Sequence, residues 1–144
     1  MLRGINPLLN PDVLHALAAM GHGDTLAIVD SNFPGFSTAS HTAYGKLLRM
    51  DCPIPEALEA VLSIFPIDSF VEHPVNSMQV VGDAKAVPEV IAEASQLLNK
   101  QQIKIASLER FKFYEATKQS FVIIQTTESR IYANLILSKG VITE

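Results

Sequence analysis

"PDVLHALAAMGHGDTLAIVDSNFPG", residues 11–35, holds two structural elements and the turn between them, and its reading decides the fold. Asn10 just before it is a good helix N-cap, Pro11 suits the first helical position, and Gly21 stands where a helix would stop. The spacing predicts a helix over residues 11–20. Residues 25–29 form a short apolar run rich in strand formers, followed by Asp30 and then by the Pro34-Gly35 breaker. This reads as a buried strand entered directly from a helix, the repeating unit of an α/β architecture.

The rest of the chain continues that alternation. Residues 55–65 predict a second helix stopped by Pro66, residues 88–100 a third and residues 109–119 a fourth. Strand-like runs lie at 77–81, 103–106, 121–125 and 131–137. Only a short polar stretch at 126–130 separates the last two, which are expected to pair as a hairpin and make the sheet mixed. The expected fold is α/β, a mixed sheet with helices on both faces, in a single domain over residues 1–144 without repeat, linker or low-complexity tract.

Composition narrows the function classes. The 144 residues are 48% hydrophobic with a mean hydropathy of +0.23, yet no apolar run approaches the ~20 residues that cross a bilayer. No membrane role is expected. Such surplus apolar surface in a small chain is most simply hidden against further copies, so a homo-oligomer is expected. The net charge is −4, with 11 Lys and Arg spread along the sequence, so no basic stripe exists to neutralise nucleic acid. The first residues lack the apolar core of a signal peptide, and the single Cys52 offers neither a disulfide nor a metal cluster. A cytoplasmic protein is expected, with Cys52 a small apolar filler. No GxGxxG, Walker, HExxH or CxxC motif is present, so nucleotide, zinc and redox readings have nothing to rest on.

The candidate chemistry sits at element ends. His22 lies just past the first helix, where it could serve as a general acid or base or simply as a helix-end hydrogen-bonding group. Asp30 lies at the carboxyl end of the first strand, where open α/β sheets collect ligands. Asp24, directly before that strand, reads as a turn residue capping a backbone amide. Tyr132 and Asn134 are two apart in the last expected strand, which would point both to one side and Ala133 to the other. Arg110 opens the stretch "RFKFYE" and could equally be a solvated helix residue.

With these residues in view, "LLNPDVLHALAAMGHGDTLAIVDSNFP", "FPID" (65–68), "RFKFYE" (110–115) and "YANLILSKGV" (132–141) together resemble the RbsD/FucU family of sugar mutarotases and ribose pyranases. "GHGD" with "NFP" is closer to the L-fucose mutarotase branch. The resemblance implies an α/β fold, a ring-shaped oligomer, typically a decamer, with sites at subunit contacts, and neither metal nor organic cofactor. It implies that His22 is the proton donor and that Asp30, Arg110, Tyr132 and Asn134 bind the sugar. The expected function is interconversion of the anomers of a small monosaccharide such as L-fucose. A D-ribose pyranase and a non-catalytic monosaccharide-binding protein are the alternatives. Ala133 stands where the fucose branch usually has Gly, Thr127 where the turn usually has Gly, and Phe36 where a His commonly follows "FPA".

Anomer exchange needs one group to protonate the ring oxygen and one to take the anomeric proton. His22 suits the first task, and Asp30 or Tyr132 the second. The five residues between His22 and Asp30 that read as strand span about 16 Å at ~3.3 Å each, so either the 21–24 loop doubles back or a neighbouring copy completes the site. Phe33, Phe36 and Phe111 are candidates for an apolar wall facing a sugar methyl, which would favour L-fucose over ribose.

Overall fold

The computed structural model describes residues 1–143. Among the described residues six strands form one sheet: β1 (Thr25–Val29), β2 (Leu48–Arg49), β3 (Val75–Met78), β4 (Ala106–Leu108), β5 (Val122–Gln125) and β6 (Leu135–Ser138), in the order β2-β5-β1-β6-β3-β4. β1 runs parallel to β5 and β5 to β2, and β3 runs parallel to β4. β6 is antiparallel to both of its neighbours, β1 and β3. The sheet is therefore mixed, with β6 opposed to the five other strands.

Among the same described residues five helices cover it: α1 (Pro11–Ala19), α2 (Gly35–Ala39), α3 (Ile54–Leu62), α4 (Glu89–Asn99) and α5 (Arg110–Lys118). The period-2 alternation of a strand sends its side chains to opposite faces, and both faces here are apolar. Leu26 and Ile28 of β1, Val122 and Ile124 of β5, and Leu135 and Leu137 of β6 join one core with Val13, Leu17, Leu58, Val61, Ile91 and Leu98 of α1, α3 and α4. Ala27, Val29, Ile123 and Ile136 join a second core with Ala39 of α2 and Phe113 of α5. Helices on both faces explain why the central strands read as continuous apolar runs rather than alternating ones.

The expected hairpin does not form. β1 lies between β5 and β6, pairing Ile28 with Ile124 on one side and with Leu135 on the other. Both edges of the most apolar run are thereby satisfied, an outcome that local spacing does not register. The last strand also starts late, at Leu135, because Tyr132 has a left-handed φ of +59°. The inference that Tyr132 and Asn134 share one strand face therefore fails. The fourth strand begins at Ala106 rather than 103, and the third occupies residues 75–78 rather than 77–81. Two short elements escaped the sequence reading, α2 directly after Pro34 and the two-residue β2.

Candidate active site

The topology separates the candidate residues into two groups. Asp30 follows β1, Arg110 opens α5 after β4, and Tyr132 and Asn134 precede the antiparallel β6, so all four lie at the carboxyl end of the parallel strands. His22 precedes β1 and lies at the opposite end. The 21–24 loop does not return along the strand: His22 instead meets Asp68, which stands before β3.

The His22 end is built by backbone interactions. Gly23 adopts a φ of +84°, open to glycine without steric cost, and its N–H donates to the Lys139 carbonyl at 2.9 Å. Asp24 acts as expected, its Oδ2 accepting the Gly21 N–H at 2.7 Å. Helix α1 does not end in a left-handed Gly21; Met20 is its cap, in extended conformation (φ −66°, ψ 140°). The orphan carbonyls of its last turn are served by Lys139, whose Nζ donates to Leu17 O at 2.7 Å and Met20 O at 2.6 Å. On the other side, Asp68 donates its N–H to Ser138 O at 3.0 Å, and Gly140 donates to Pro66 O at 2.8 Å.

His22 Nε2 is thereby held 3.3 Å from Asp68 Oδ1. The imidazole is 46% exposed, whereas the carboxylate is only 3% exposed. The Phe70 N–H at 2.9 Å and the His22 ring hold the Asp68 carboxyl below its ordinary range, against the opposing effect of burial. A buried carboxylate facing Nε2 fixes the ring. This is the arrangement in which a carboxylate orients a proton-transferring histidine. The Phe70 ring packs beside the imidazole at 5.5 Å between centroids.

The opposite end is a polar clamp inside apolar surroundings. Asp30 Oδ1 accepts the N–H groups of Asn32 and Phe33, both at 2.9 Å, and Oδ2 accepts Asn134 Nδ2 at 3.0 Å. Asn134 Oδ1 in turn accepts the Asp30 N–H at 2.9 Å. Burial pushes the Asp30 carboxyl above its ordinary range, although the Asn32, Phe33 and Asn134 donors to its oxygens pull the other way. Gln125 Nε2 donates to the carbonyls of Asp30, Ser31 and Phe33, which fixes the 30–33 turn. Tyr132 packs against the second core, and its Oη accepts the Val81 N–H at 3.3 Å. The Arg110 guanidinium lies 4.7 Å from the Phe111 ring centroid, and among the described residues its buried Nε has no partner. The structure thus joins Asp30 to Asn134, sets Tyr132 and Arg110 at the same end of the sheet, and leaves His22 apart from all four. Of the proposed apolar wall, Phe33 is core, packed on Phe113 and Tyr114, whereas Phe36 and Phe111 are exposed.

Sequence reasoning missed the roles of Asp68 and Lys139. Asp68 carried a signal, since "FPID" was singled out, but nothing local ties it to a residue 46 positions away. It also missed an ion-pair cluster behind Tyr132. Arg130 Nε and Nη2 donate to the Glu128 carboxylate at 2.9 and 3.0 Å, and Nη1 donates to Glu93 Oε1 at 2.7 Å. Arg130 holds the Glu128 carboxyl below its ordinary range despite burial.

Comparisons with known proteins place these residues in a family. The model of the RbsD / FucU transport protein family matches residues 3–142. Human fucose mutarotase is 40% identical over 148 residues, covering 98% of this chain and 94% of that protein. The crystal structure of protein Atu2016 superposes with a TM-score of 0.95 at 43% identity, covering 99% and 97% of the two chains. The fucose mutarotase from Streptococcus pneumoniae, solved in complex with L-fucose, superposes with a TM-score of 0.88 at 35% identity, covering 99% and 100%. With a family match across nearly its whole length, the chain belongs to the RbsD/FucU family.

Proposed function

We propose that the chain is a monosaccharide mutarotase that interconverts the anomers of L-fucose by acid/base ring opening and closing. The observation that carries this reading is the His22–Asp68 pair, an exposed imidazole braced by a buried carboxylate, in a chain 40% identical to human fucose mutarotase. In the forward step His22 gives a proton to the ring oxygen, a base takes the proton of the anomeric hydroxyl, and the bond between the anomeric carbon and the ring oxygen breaks to leave an aldehyde. Rotation about the adjoining carbon–carbon bond presents the other face. Closing reverses both transfers and returns His22 and the base to their starting states, and each such group contributes about 10²–10⁴ in rate.

The base is Tyr132 rather than Asp30. Asp30 already accepts three hydrogen bonds and anchors the turn, so it holds the site instead of moving protons. Among the described residues the Tyr132 oxygen accepts the Val81 N–H alone, so it takes the anomeric proton as its own phenolic proton passes to a solvent water, and both moves reverse on ring closing. Arg110 and the spare N–H of Asn134 hold sugar hydroxyls by directional hydrogen bonds. The exposed Phe36 and Phe111 rings supply apolar surface for a 6-methyl group, worth about 0.8 kcal/mol, so L-fucose is favoured over ribose severalfold.

His22 and Tyr132 belong to opposite sheet ends, so a second copy must complete the site. Exposed Phe70 (72%) and Val71 flank His22. Exposed Val81 meets the Tyr132 hydroxyl, and exposed Val87 and Ile131 line a cavity of about 450 Å³ together with Val80, Pro88 and Tyr132. Repeated head to tail, an interface joining one end to the other is heterologous, and such contacts form a ring where the rotation between copies closes. The assembly is therefore a ring-shaped homo-oligomer, ten copies being the number the family resemblance implies.

NMR exchange between the α and β anomeric protons of L-fucose tests this reading. Wild-type protein should accelerate exchange, and His22→Ala should remove most of it while light scattering shows an unchanged assembly. A sugar that binds without faster exchange would instead make the chain a binding protein. A monomer with full activity would refute the shared site.

A further inference from the structure

Tyr132 carries a left-handed backbone (φ +59°), a conformation that non-glycine residues keep only where the surroundings over-determine it. On its C-terminal side the restraint is plain, since Ala133 is fully buried and Asn134 is clamped to Asp30. On its N-terminal side the restraint passes through Arg130. The guanidinium lies between two carboxylates: Glu128 takes Nε and Nη2, and Glu93 on α4 takes Nη1 at 2.7 Å and Nη2 at 3.4 Å. Two-point contact on both sides fixes the plane of the group as well as its position.

Glu128 is itself immobilised. It is 4% exposed, it accepts the Arg130 N–H at 3.1 Å and the Ile54 N–H of α3 at 3.4 Å, and its backbone carbonyl accepts the Ser31 N–H at 2.8 Å. The cluster thus ties the segment leading into Tyr132 to α3, to α4 and to the turn that follows Asp30. An isolated surface ion pair would fix little, whereas this one joins four parts of the chain two residues before the strained position.

We infer that Arg130 is a positioning residue for Tyr132: through Glu128 and Glu93 it sets the left-handed turn that aims the Tyr132 hydroxyl. This rests on the reading of Tyr132 as the proton-accepting group. The Arg130 guanidinium is engaged by Glu128 and Glu93, so its loss should slow proton transfer while the sugar hydroxyls remain held by Arg110 and Asn134.

The test is a double-mutant cycle read by anomer exchange of L-fucose at several concentrations, with kcat and KM separated. Arg130→Met should lower kcat by roughly ten- to a hundredfold, the penalty for a misplaced reacting group, with KM within about twofold. In a Tyr132→Phe background, where the hydroxyl is already gone, the same change should cost no more than about twofold. Glu93→Gln, made on the half-exposed partner, should show the same dependence on Tyr132 at smaller size, and it serves if Arg130→Met does not fold. Equal losses in both backgrounds, or a loss confined to KM, would overturn the positioning role while leaving the mutarotase reading intact. Tyr132→Phe with undiminished exchange would overturn the positioning role together with the assignment of Tyr132 as the base.

Discussion

Gly140→Ala probes the seam that holds Asp68 against His22. Gly140 follows β6, and its N–H donates to Pro66 O at 2.8 Å. A Cβ at this position would lie 2.6 Å from the Ile67 carbonyl oxygen, 2.8 Å from its carbon and 2.9 Å from Asp68 Cα. All three are backbone atoms, so no side-chain rotation relieves the clash. A carbon normally approaches a carbonyl oxygen no closer than about 3.3 Å, so the Pro66–Asp68 segment must withdraw by roughly 0.7 Å. Overpacking of this kind costs about 1–3 kcal/mol, which for a chain of this size lowers the melting temperature by roughly 3–12 °C. The same displacement acts on a His22–Asp68 contact that is already 3.3 Å long, and a further half ångström or so takes it beyond hydrogen-bonding range. Exchange should therefore fall by roughly ten- to a hundredfold. Thermal melts at one fixed protein concentration, because assembly couples to stability, and anomer exchange by NMR measure the two effects. A variant that melts within about 1 °C of wild type and exchanges L-fucose at the wild-type rate would refute the link between the Gly140 contact and the acid.

Asn134→Ala should destabilise the fold by about 2–5 kcal/mol, because it strands the buried Asp30 N–H and removes a donor from its carboxylate; urea denaturation measures it. The acid limb of stability should depend on Glu128. Its folded pKa lies below the ordinary 4.5, so its contribution is present above that pH and is lost as pH falls through the folded value, and Glu128→Gln should flatten the decline. Asp68, also lowered, adds in the same direction, whereas Asp30, raised above 3.8, opposes it, its contribution declining as pH rises from 3.8 through its folded value. An acid titration of the melting temperature in wild type and Glu128→Gln should show that difference in slope, and equal slopes would assign acid sensitivity elsewhere.

Local chemistry made much of this fold legible. Asn10 does cap α1, its side chain accepting the Val13 N–H at 3.0 Å, and β1 occupies the expected five residues. Asp24 does hold the turn. The failures share a cause, since each depended on a partner distant in sequence. β5 and β6 read as a hairpin because they are neighbours in sequence, but inserting β1 buries Leu26 and Ile28 on one face and Ala27 and Val29 on the other. Periodicity placed Tyr132 in a strand because it cannot register a left-handed residue held from outside by Arg130 and Glu93. The stop of α1 was assigned to Gly21, whereas the group that serves its carbonyls is Lys139, more than a hundred residues later.

The candidate site posed a different difficulty. Asp30, Arg110, Tyr132 and Asn134 were grouped by the family resemblance and not by spacing, which left Arg110 open between a binding residue and a solvated helix residue; the fold sets all four at one sheet end although the assumed strand pairing was wrong. His22 was legible only as chemistry without a position. Its partner Asp68 lies at the same sheet end, and β1 separates the pair from Asp30 by roughly 16 Å at the usual rise per residue. A strand buried on both faces cannot shorten that distance, so no loop rearrangement compatible with the core brings His22 to Tyr132 within one chain. Exposed apolar residues lie at both ends, Phe70 and Val71 on the His22 side and Val81, Val87 and Ile131 on the Tyr132 side. In the proposed mechanism the surface that drives association is thus the surface that assembles acid and base. Weakening it should cost activity and assembly together, whereas His22→Ala should cost activity alone.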